Sequence, residues 1–380
     1  MSSIVGFVSR VRTAFNPLEA KPLPNSEPVK FGVLGAAAIA PEALLAPAKR
    51  HPEAVVHAVA ARDKERAEAF AQKHGITKAY GSYQELIDDP EIDAIYNPLP
   101  NGLHYEWTMK ALAAGKHVLL EKPAANTAEE TRKMFELAES KGLVLLEAVH
   151  YRFHPASHRV KAIIESDELG PVLSTTTSLT LPAGYFKPND IRFDYSLGGG
   201  ALMDMGSYTI STMRYFTGAK PTEILSVKQD LSNPQVDRRT VAKFALPGPI
   251  TSTAICDLGV PWKFGLIPSM PDFNATIKCE KGDIQFTNYL LPSVYHSITV
   301  TTGSKSRVEK AYTFPDLGEP WWSTYRYQLE AFVNKVKGRP THAWVTKEDS
   351  IENMEIIESV YAKTGLGSRP KSEYVPPSSV

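Results

Sequence analysis

Lys122 stands two residues past the apolar run His117-Val118-Leu119-Leu120. A lysine just beyond the C-terminal end of a strand lies on the edge where open α/β sheets meet their ligands. Asp204 and Tyr208 follow the triple glycine Gly198-Gly199-Gly200 and are four residues apart, so a carboxylate and a phenol share one helix face. Between these segments and the N-terminus, Asn97-Pro98-Leu99-Pro100-Asn101 leaves another strand-like run, with His104 in the helix that follows.

Phe31 to Ala40 ends a strand and opens a helix, with Gly35, Ala37 and Ala40 in the spacing G-x-A-x-x-A. A dinucleotide fingerprint has the same setting with glycine at all three places. Gly35 can make the tight turn, and Ala37 and Ala40 are the smallest substitutes for the others. Amides of Ala36, Ala37, Ala38 and Ile39 at the helix start would hold a pyrophosphate through their N–H groups and the helix dipole. An alanine-rich turn without a ligand stays open on this motif alone. The next strand ends in Val59-Ala60-Ala61-Arg62-Asp63, where an NAD site would place an acid against the ribose. Arg62, with Arg66 one turn on, suits a 2′-phosphate, so NADP is favoured over NAD. Asp63 weakens that reading but also serves as an N-cap.

These residues need a scaffold. From Val29 to about Glu147 short apolar runs alternate with helical patterns, as in a doubly wound parallel sheet. Strands are predicted at Val29 to Leu34, Ala54 to Ala60, Ala94 to Tyr96, His117 to Leu120 and Val144 to Leu146. Ser82-x-x-Glu85 and Thr127-x-x-Glu130 have the capping-box form and fix helix starts near 83 and 128. After a helix at about Pro155 to Glu165, runs rich in Thr, Val, Ile and Tyr are separated by turn residues. They cover about 171–181, 222–230, 238–246, 250–258, 273–279, 283–287 and 293–302, and predict one large, mostly antiparallel sheet. Helices at Trp322 to Lys337 and Lys347 to Thr364 close the chain. The expected organisation is α/β: an arm (1–28), a Rossmann domain (29–150), a second α/β domain with the large sheet (151–367) and a flexible tail (368–380).

Composition narrows the class. Lys plus Arg and Asp plus Glu number 42 each, so no net field draws the chain to nucleic acid or anionic lipid. Two cysteines make neither a disulfide framework nor a zinc site, His57, His74 and the others lack metal-ligand spacing, and no metal is expected. No apolar run approaches the roughly 20 residues of a membrane span. In Met1 to Phe15, Arg10 and Arg12 accompany Ile4, Val5, Val8, Val11 and Phe15 at helical intervals. An amphipathic arm packing on the body or on a partner subunit is the first reading and a mitochondrial presequence the second, so the chain is expected in the cytoplasm, with mitochondria the alternative.

Taken together, the alanine-bearing loop, Gly-Lys-His-Val-Leu before Glu121-Lys122-Pro123, the run Glu147 to Pro155 and the Asp204/Tyr208 pair resemble the Gfo/Idh/MocA family of NAD(P)-dependent oxidoreductases. The resemblance spans about Val29 to Gly365. It implies a Rossmann domain, a second domain (151–367) for substrate binding and dimerisation, whose open sheet forms a homodimer or higher oligomer, and an active site in the cleft between. It also implies that Lys122 is catalytic and is joined by Asp204 and Tyr208, where many members carry histidine. Tyrosine there resembles the D-xylose dehydrogenase, dimeric dihydrodiol dehydrogenase and glucose-fructose oxidoreductase branch. A phenol, with a reference pKa of about 10, needs help to act as a base, and the Lys122 ammonium would lower it. Further cofactor contacts implied are Pro98, Leu99, Asn101, His104, Glu121 and Arg152, an interdomain ion pair being the alternative for Arg152. Arg192 and Asp194 are candidates to face substrate.

The expected activity is NADP-dependent oxidation of an aldose at C1 to the lactone. A trans-dihydrodiol dehydrogenase or dicarbonyl reductase, and a non-catalytic cofactor-binding regulator of the galactose-repressor type, are the alternatives.

Overall fold

Ala58, Val59 and Ala60 are wholly buried although they point alternately to both faces of their strand, as a sheet covered on both sides demands. The computed structural model describes residues 4–15, 20, 23 and 26–377, without the side chains of 4, 5, 11, 14 and 15. In it β1 (Val29–Leu34), β2 (Ala54–Ala60), β3 (Lys78–Tyr80), β4 (Ala94–Asn97), β5 (His117–Leu120) and β6 (Leu145–Glu147) form a parallel sheet in the order β3-β2-β1-β4-β5-β6. The order reverses between β1 and β4, which opens a crevice at their C-terminal ends. Gly35, Asn97 to Asn101 and Lys122 all leave the sheet on that edge. β3 escaped the sequence reading because it has three residues, each only half-buried, and so no periodicity.

β7 (Val172–Pro182), β8 (Glu223–Asn233), β9 (Val236–Ala245), β10 (Thr251–Val260), β11 (Asp272–Cys279), β12 (Asp283–Thr287), β13 (Ser297–Thr302) and β14 (Lys305–Glu309) make the second sheet, ordered β14-β13-β12-β11-β7-β10-β9-β8. Only β7 and β10 run parallel; the other pairs are antiparallel. β14 was not anticipated, because an exposed edge strand reading Lys-Ser-Arg-Val-Glu has no apolar alternation. Thr177, Leu179, Ala254, Cys256 and Ala275 turn inward under the helices Ser207–Thr217 and Lys347–Thr364.

Helix starts follow the hydroxyl residues. Ser82 accepts the N–H of Glu85 and Thr127 that of Glu130, both at 3.2 Å. The reciprocal carboxylate bond is absent at both: Glu85 takes the Gly81 amide instead, and Glu130 takes the Thr127 hydroxyl. The full box forms at Thr346 and Asp349.

The arm is the helix Ile4–Phe15. Arg10 is 5% exposed, donates to the Val294 carbonyl at 3.3 Å and stacks 3.9 Å from the Tyr312 ring, so this helix is fastened to the body through its cation. Val8 is exposed, and the side chains of Ile4, Val5, Val11 and Phe15 lie outside the described residues, as does most of the connector before Pro28. The C-terminus requires a correction. Residues 368–377 lack regular structure, as expected, yet they are not loose: Arg369 is buried, and residues 370–372 bond to the helix Ala128–Ser140 and its approach.

Candidate active site

Gly35 adopts φ +86°, its N–H donates to the Ala60 carbonyl at 2.7 Å, and a Cβ there would press on Leu99 at 3.1 Å. Glycine is required at this turn. Among the described residues the N–H groups of Ala36, Ala37, Ala38 and Ile39 find no acceptor, and the helix behind them opens on Pro41, which has no N–H to offer. The cradle is therefore the loop itself. Arg66 reaches over it to the Ala36 carbonyl at 3.2 Å, and Arg62 lies with Arg66 beside Tyr83 at the same loop. Four unpaired amides next to two guanidinium groups fit a dinucleotide that carries an extra phosphate.

Lys122 follows β5 through a cis bond to Pro123. Its ammonium donates to Asp204 twice, at 2.6 Å to Oδ1 and 2.9 Å to the backbone carbonyl. Arg192 Nε donates to the second carboxylate oxygen at 2.8 Å and is itself paired with Asp190 at 3.0 Å. Burial opposes the charge on Asp204, but Arg192 and Lys122 outweigh it and hold the carboxyl well below the ordinary range. Arg192 is held protonated: burial works against it, and Asp204 and Asp190 more than compensate.

Asp204 sits in a π turn, Leu202–Gly206, that runs into the helix carrying Tyr208. The wider turn still delivers both side chains to one cavity. Lys122 Nζ lies 4.8 Å from the Tyr208 ring centroid. The phenol is nonetheless pushed far above its usual pKa, first by burial and then by the neighbouring Tyr325, Glu121 and Asp204. This corrects the expectation that Lys122 lowers it: with Asp204 2.6 Å away, the ammonium charge is already answered. Tyr208 rests as a neutral phenol.

The cavity holds about 350 Å³, and Ile39, Pro98, Leu99, Asn101, Glu121 and Arg192 join Lys122, Asp204 and Tyr208 in its wall. Glu121 is braced by the Tyr96 hydroxyl at 2.8 Å, and Asn101 donates to the Gly198 carbonyl at 3.0 Å, tying the first sheet to the triple glycine. Three candidates belong neither to this wall nor to the amide-lined loop beside it. His104 is buried with its ring nitrogens facing the carbonyls of Pro123 and Leu99 at 2.9 and 2.7 Å, so it braces the two loops that line the cavity without entering it. Arg152 turns to Asp349 at 3.3 Å and stacks on Tyr215. Asp194 is exposed and receives the amide and hydroxyl of Ser196.

The sequence reading missed His150, Tyr325 and Glu42, which also face the cavity. His150 stacks 4.2 Å from Tyr325, meets Tyr208 edge-on at 5.4 Å, and is pushed down to about 3 by burial and then by Lys122. Its place in the run Glu147 to Pro155 was the available signal. The far wall is apolar: Leu179 and Leu181 of β7, Phe273 of β11, Leu290, Leu291 and Phe186.

Residues 29–149 match the oxidoreductase family with an NAD-binding Rossmann fold, and residues 157–285 match the GFO/IDH/MocA C-terminal domain. The chain is 34% identical over 348 residues to D-xylose 1-dehydrogenase (NADP(+)) 2 of Haloferax volcanii, covering 89% of this chain and 98% of that protein. Identity to a trans-1,2-dihydrobenzene-1,2-diol dehydrogenase of Macaca fascicularis is 37% over 207 residues, 53% of this chain and 60% of that protein. A 3-ketoreductase from Actinomadura kijaniata, solved with NADP and TDP-benzene, superposes with a TM-score of 0.76 at 25% identity, over 92% of this chain and all of that one. With both of its sheets accounted for and its family signatures in place, the chain belongs to the Gfo/Idh/MocA family of oxidoreductases.

Proposed function

We propose that this chain is an NADP-dependent dehydrogenase of a carbohydrate hydroxyl, oxidising an aldose such as D-xylose or glucose at C1 to the lactone. The observation that carries the reading is the convergence of Lys122, Asp204 and Tyr208 in one cavity beside a loop of unpaired amides. The loop amides of 36–39 would hold the pyrophosphate, and Arg62 and Arg66 the 2′-phosphate. When bound, the nicotinamide exchanges hydride with the substrate carbon.

The remaining work belongs to the side chains. Lys122, with two N–H groups engaged by Asp204, keeps one for the substrate oxygen and orients it toward Tyr208. In the direction of reduction the neutral phenol of Tyr208 donates its proton to that oxygen. In oxidation Tyr208 must first lose its proton to solvent, against the upward shift that burial imposes, and then accepts the one on the substrate hydroxyl. Asp204 holds Lys122 in place, and Arg192, fixed to its other oxygen, faces the substrate. The 29–150 portion thus carries the cofactor and 151–367 the substrate wall, and the exposed face of the eight-stranded sheet is assigned to pairing of two copies.

A cyclic trans-diol is the second reading, favoured by the apolar wall of Leu179, Leu181, Phe273 and Leu290. Such a wall suits a ring with few hydroxyls better than a fully hydroxylated sugar. Purified enzyme with NADP and a panel of aldoses and trans-dihydrodiols, followed at the nicotinamide absorbance, separates the two. No turnover with any member of either class overturns the proposal.

A further inference from the structure

The carboxylate of Asp237, on β9, is fully buried and accepts four hydrogen bonds. Two come from its surroundings, the hydroxyls of Thr240 at 2.7 Å and Tyr361 at 2.7 Å. A third comes from the amide of Leu202 at 2.8 Å, the first residue of the π turn that carries Asp204. The fourth comes from Arg369 Nη2 at 3.0 Å. Arg369 therefore reaches from the C-terminal segment to the start of the helix that holds Asp204 and Tyr208.

The same guanidinium has a second hold. Its Nε donates to the Gly199 carbonyl at 2.6 Å, while the Gly199 amide donates to Asp194 O at 2.8 Å and the Gly200 amide to Arg192 O at 2.9 Å. The turn that Arg369 grips is thus the turn that fixes the backbone of Arg192, and Arg192 is the cation on the outer oxygen of Asp204. Space here is closed. A Cβ on Gly200 (φ +137°) would fall 2.6 Å or less from Asp237, Arg369 and Tyr361, and the guanidinium packs 4.0 Å over the Tyr361 ring. The segment is moored on the other side of the cleft as well: Asn126 donates to the Pro370 carbonyl at 2.8 Å, and the Ser372 amide to Glu130 at 2.6 Å.

We propose that Arg369 is a positioning residue for the reaction. By bridging Asp237 and the Gly199 carbonyl it holds the Arg192 turn and the start of the Asp204 helix in one register, so that Asp204 meets Arg192 and Lys122 together. A fork of two N–H donors on separate acceptors does what a point charge cannot. The inference rests on the roles given above to Lys122, Asp204 and Tyr208. When Arg369 is lost the Arg192 turn is freed, and Asp204, which then faces Lys122 with Glu121 and Tyr208 nearby, becomes easier to protonate.

The test compares full-length wild type, Arg369→Met and Arg369→Lys in steady-state turnover from acid to alkaline pH, with folded fraction followed by circular dichroism. Arg369→Met is expected to lose at least tenfold in kcat, to keep its KM for NADP within about twofold, and to move the acid limb of kcat upward toward the ordinary carboxylate range of about 4. Arg369→Lys retains the charge against Asp237 and is expected to recover folding but only part of kcat. Tyr361→Phe removes one neutral bond from Asp237 and keeps the experiment decisive where Arg369→Met does not fold; the same upward move, smaller, is expected. A folded variant set with wild-type kcat and acid limb, or kcat that falls only in step with the folded fraction, overturns the inference. Absence of turnover in the wild type would instead overturn the proposed function, so the two failures are separate.

Discussion

The Lys122 ammonium lies 4.8 Å from the centre of the Tyr208 ring and 2.6 Å from the Asp204 carboxylate. It is thus a neighbour of the phenol but a partner of the acid, and this division sets what each group can do. Replacing Tyr208 by Phe removes the proton carrier and leaves the ring that Lys122 packs on. Turnover is expected to fall by about 10²–10⁴, the usual worth of a placed acid or base, with the dissociation constant for NADP changed less than twofold. Stopped-flow turnover and cofactor fluorescence titration read the two quantities. Near-normal activity in Tyr208→Phe would remove tyrosine from the mechanism.

The direction of the Tyr208 shift gives the two half-reactions different pH dependences. Burial raises the phenol far above its ordinary value, so the neutral form dominates through neutrality. Carbonyl reduction, which uses that form, is expected to be flat across neutral pH. Alcohol oxidation needs the phenolate and is expected to climb with pH well into the alkaline range. Initial rates in both directions over a common buffer series check this; an oxidation rate that plateaus at neutrality speaks against the assigned base.

Arg62 and Arg66 are both exposed at the amide-lined loop, and Arg66 touches it through the Ala36 carbonyl. Charge-assisted bonds to a phosphate are worth about 1.5–3 kcal/mol each. The double replacement by Ala is therefore expected to raise KM for NADP more than tenfold and to leave KM for NAD nearly unchanged. A parallel loss with both cofactors would mean that the arginines support the loop and not the extra phosphate.

How much of this was legible beforehand depends on how local each signal is. β1, β2 and β5 announce themselves as apolar runs between helix signals, and Gly35 and Lys122 sit at strand ends where the crevice of such a sheet must be. β3 and β14 carry no such pattern, one being too short and the other an exposed edge. His104 and Arg152 were drawn toward the cofactor by their neighbours in sequence, whereas in space both are taken up by other partners. The apolar wall joins β7, β11 and the turn at Leu290, which are distant in sequence and each ordinary alone. Arg369 looked like part of a polar tail because its partners, Asp237 and Gly199, lie more than a hundred residues away.

Leu181 and Phe273 offer a handle on substrate choice. Either one changed to Asn puts an amide where an apolar ring face would rest, and a mismatch of that size costs about 1–3 kcal/mol. The ratio of kcat/KM for a trans-dihydrodiol over D-xylose is expected to fall roughly tenfold in each variant. If the ratio is unchanged, the wall does not contact the substrate and the diol reading loses its support.

Two buried imidazoles make a prediction about stability. His154 Nδ1 accepts the Ala156 amide at 3.2 Å, and His296 Nε2 accepts the Ala311 amide at 3.0 Å while Nδ1 donates to the Pro292 carbonyl. Neither accepting nitrogen can take a proton without losing its bond, and burial pushes His296 down to about 4 and His154 well below its usual value. In the unfolded chain both titrate at about 6.5. Their contribution is therefore complete above about 6.5 and is lost as pH falls toward about 4, at up to about 1.4 kcal/mol per pH unit for each imidazole. Urea unfolding at neutral and mildly acid pH should show a slope of this sign, to which His104, His150 and His342 also add, and His296→Gln should reduce it by one imidazole's share, up to about 1.4 kcal/mol per pH unit. Equal slopes in wild type and variant would mean that His296 is already protonated in the native protein.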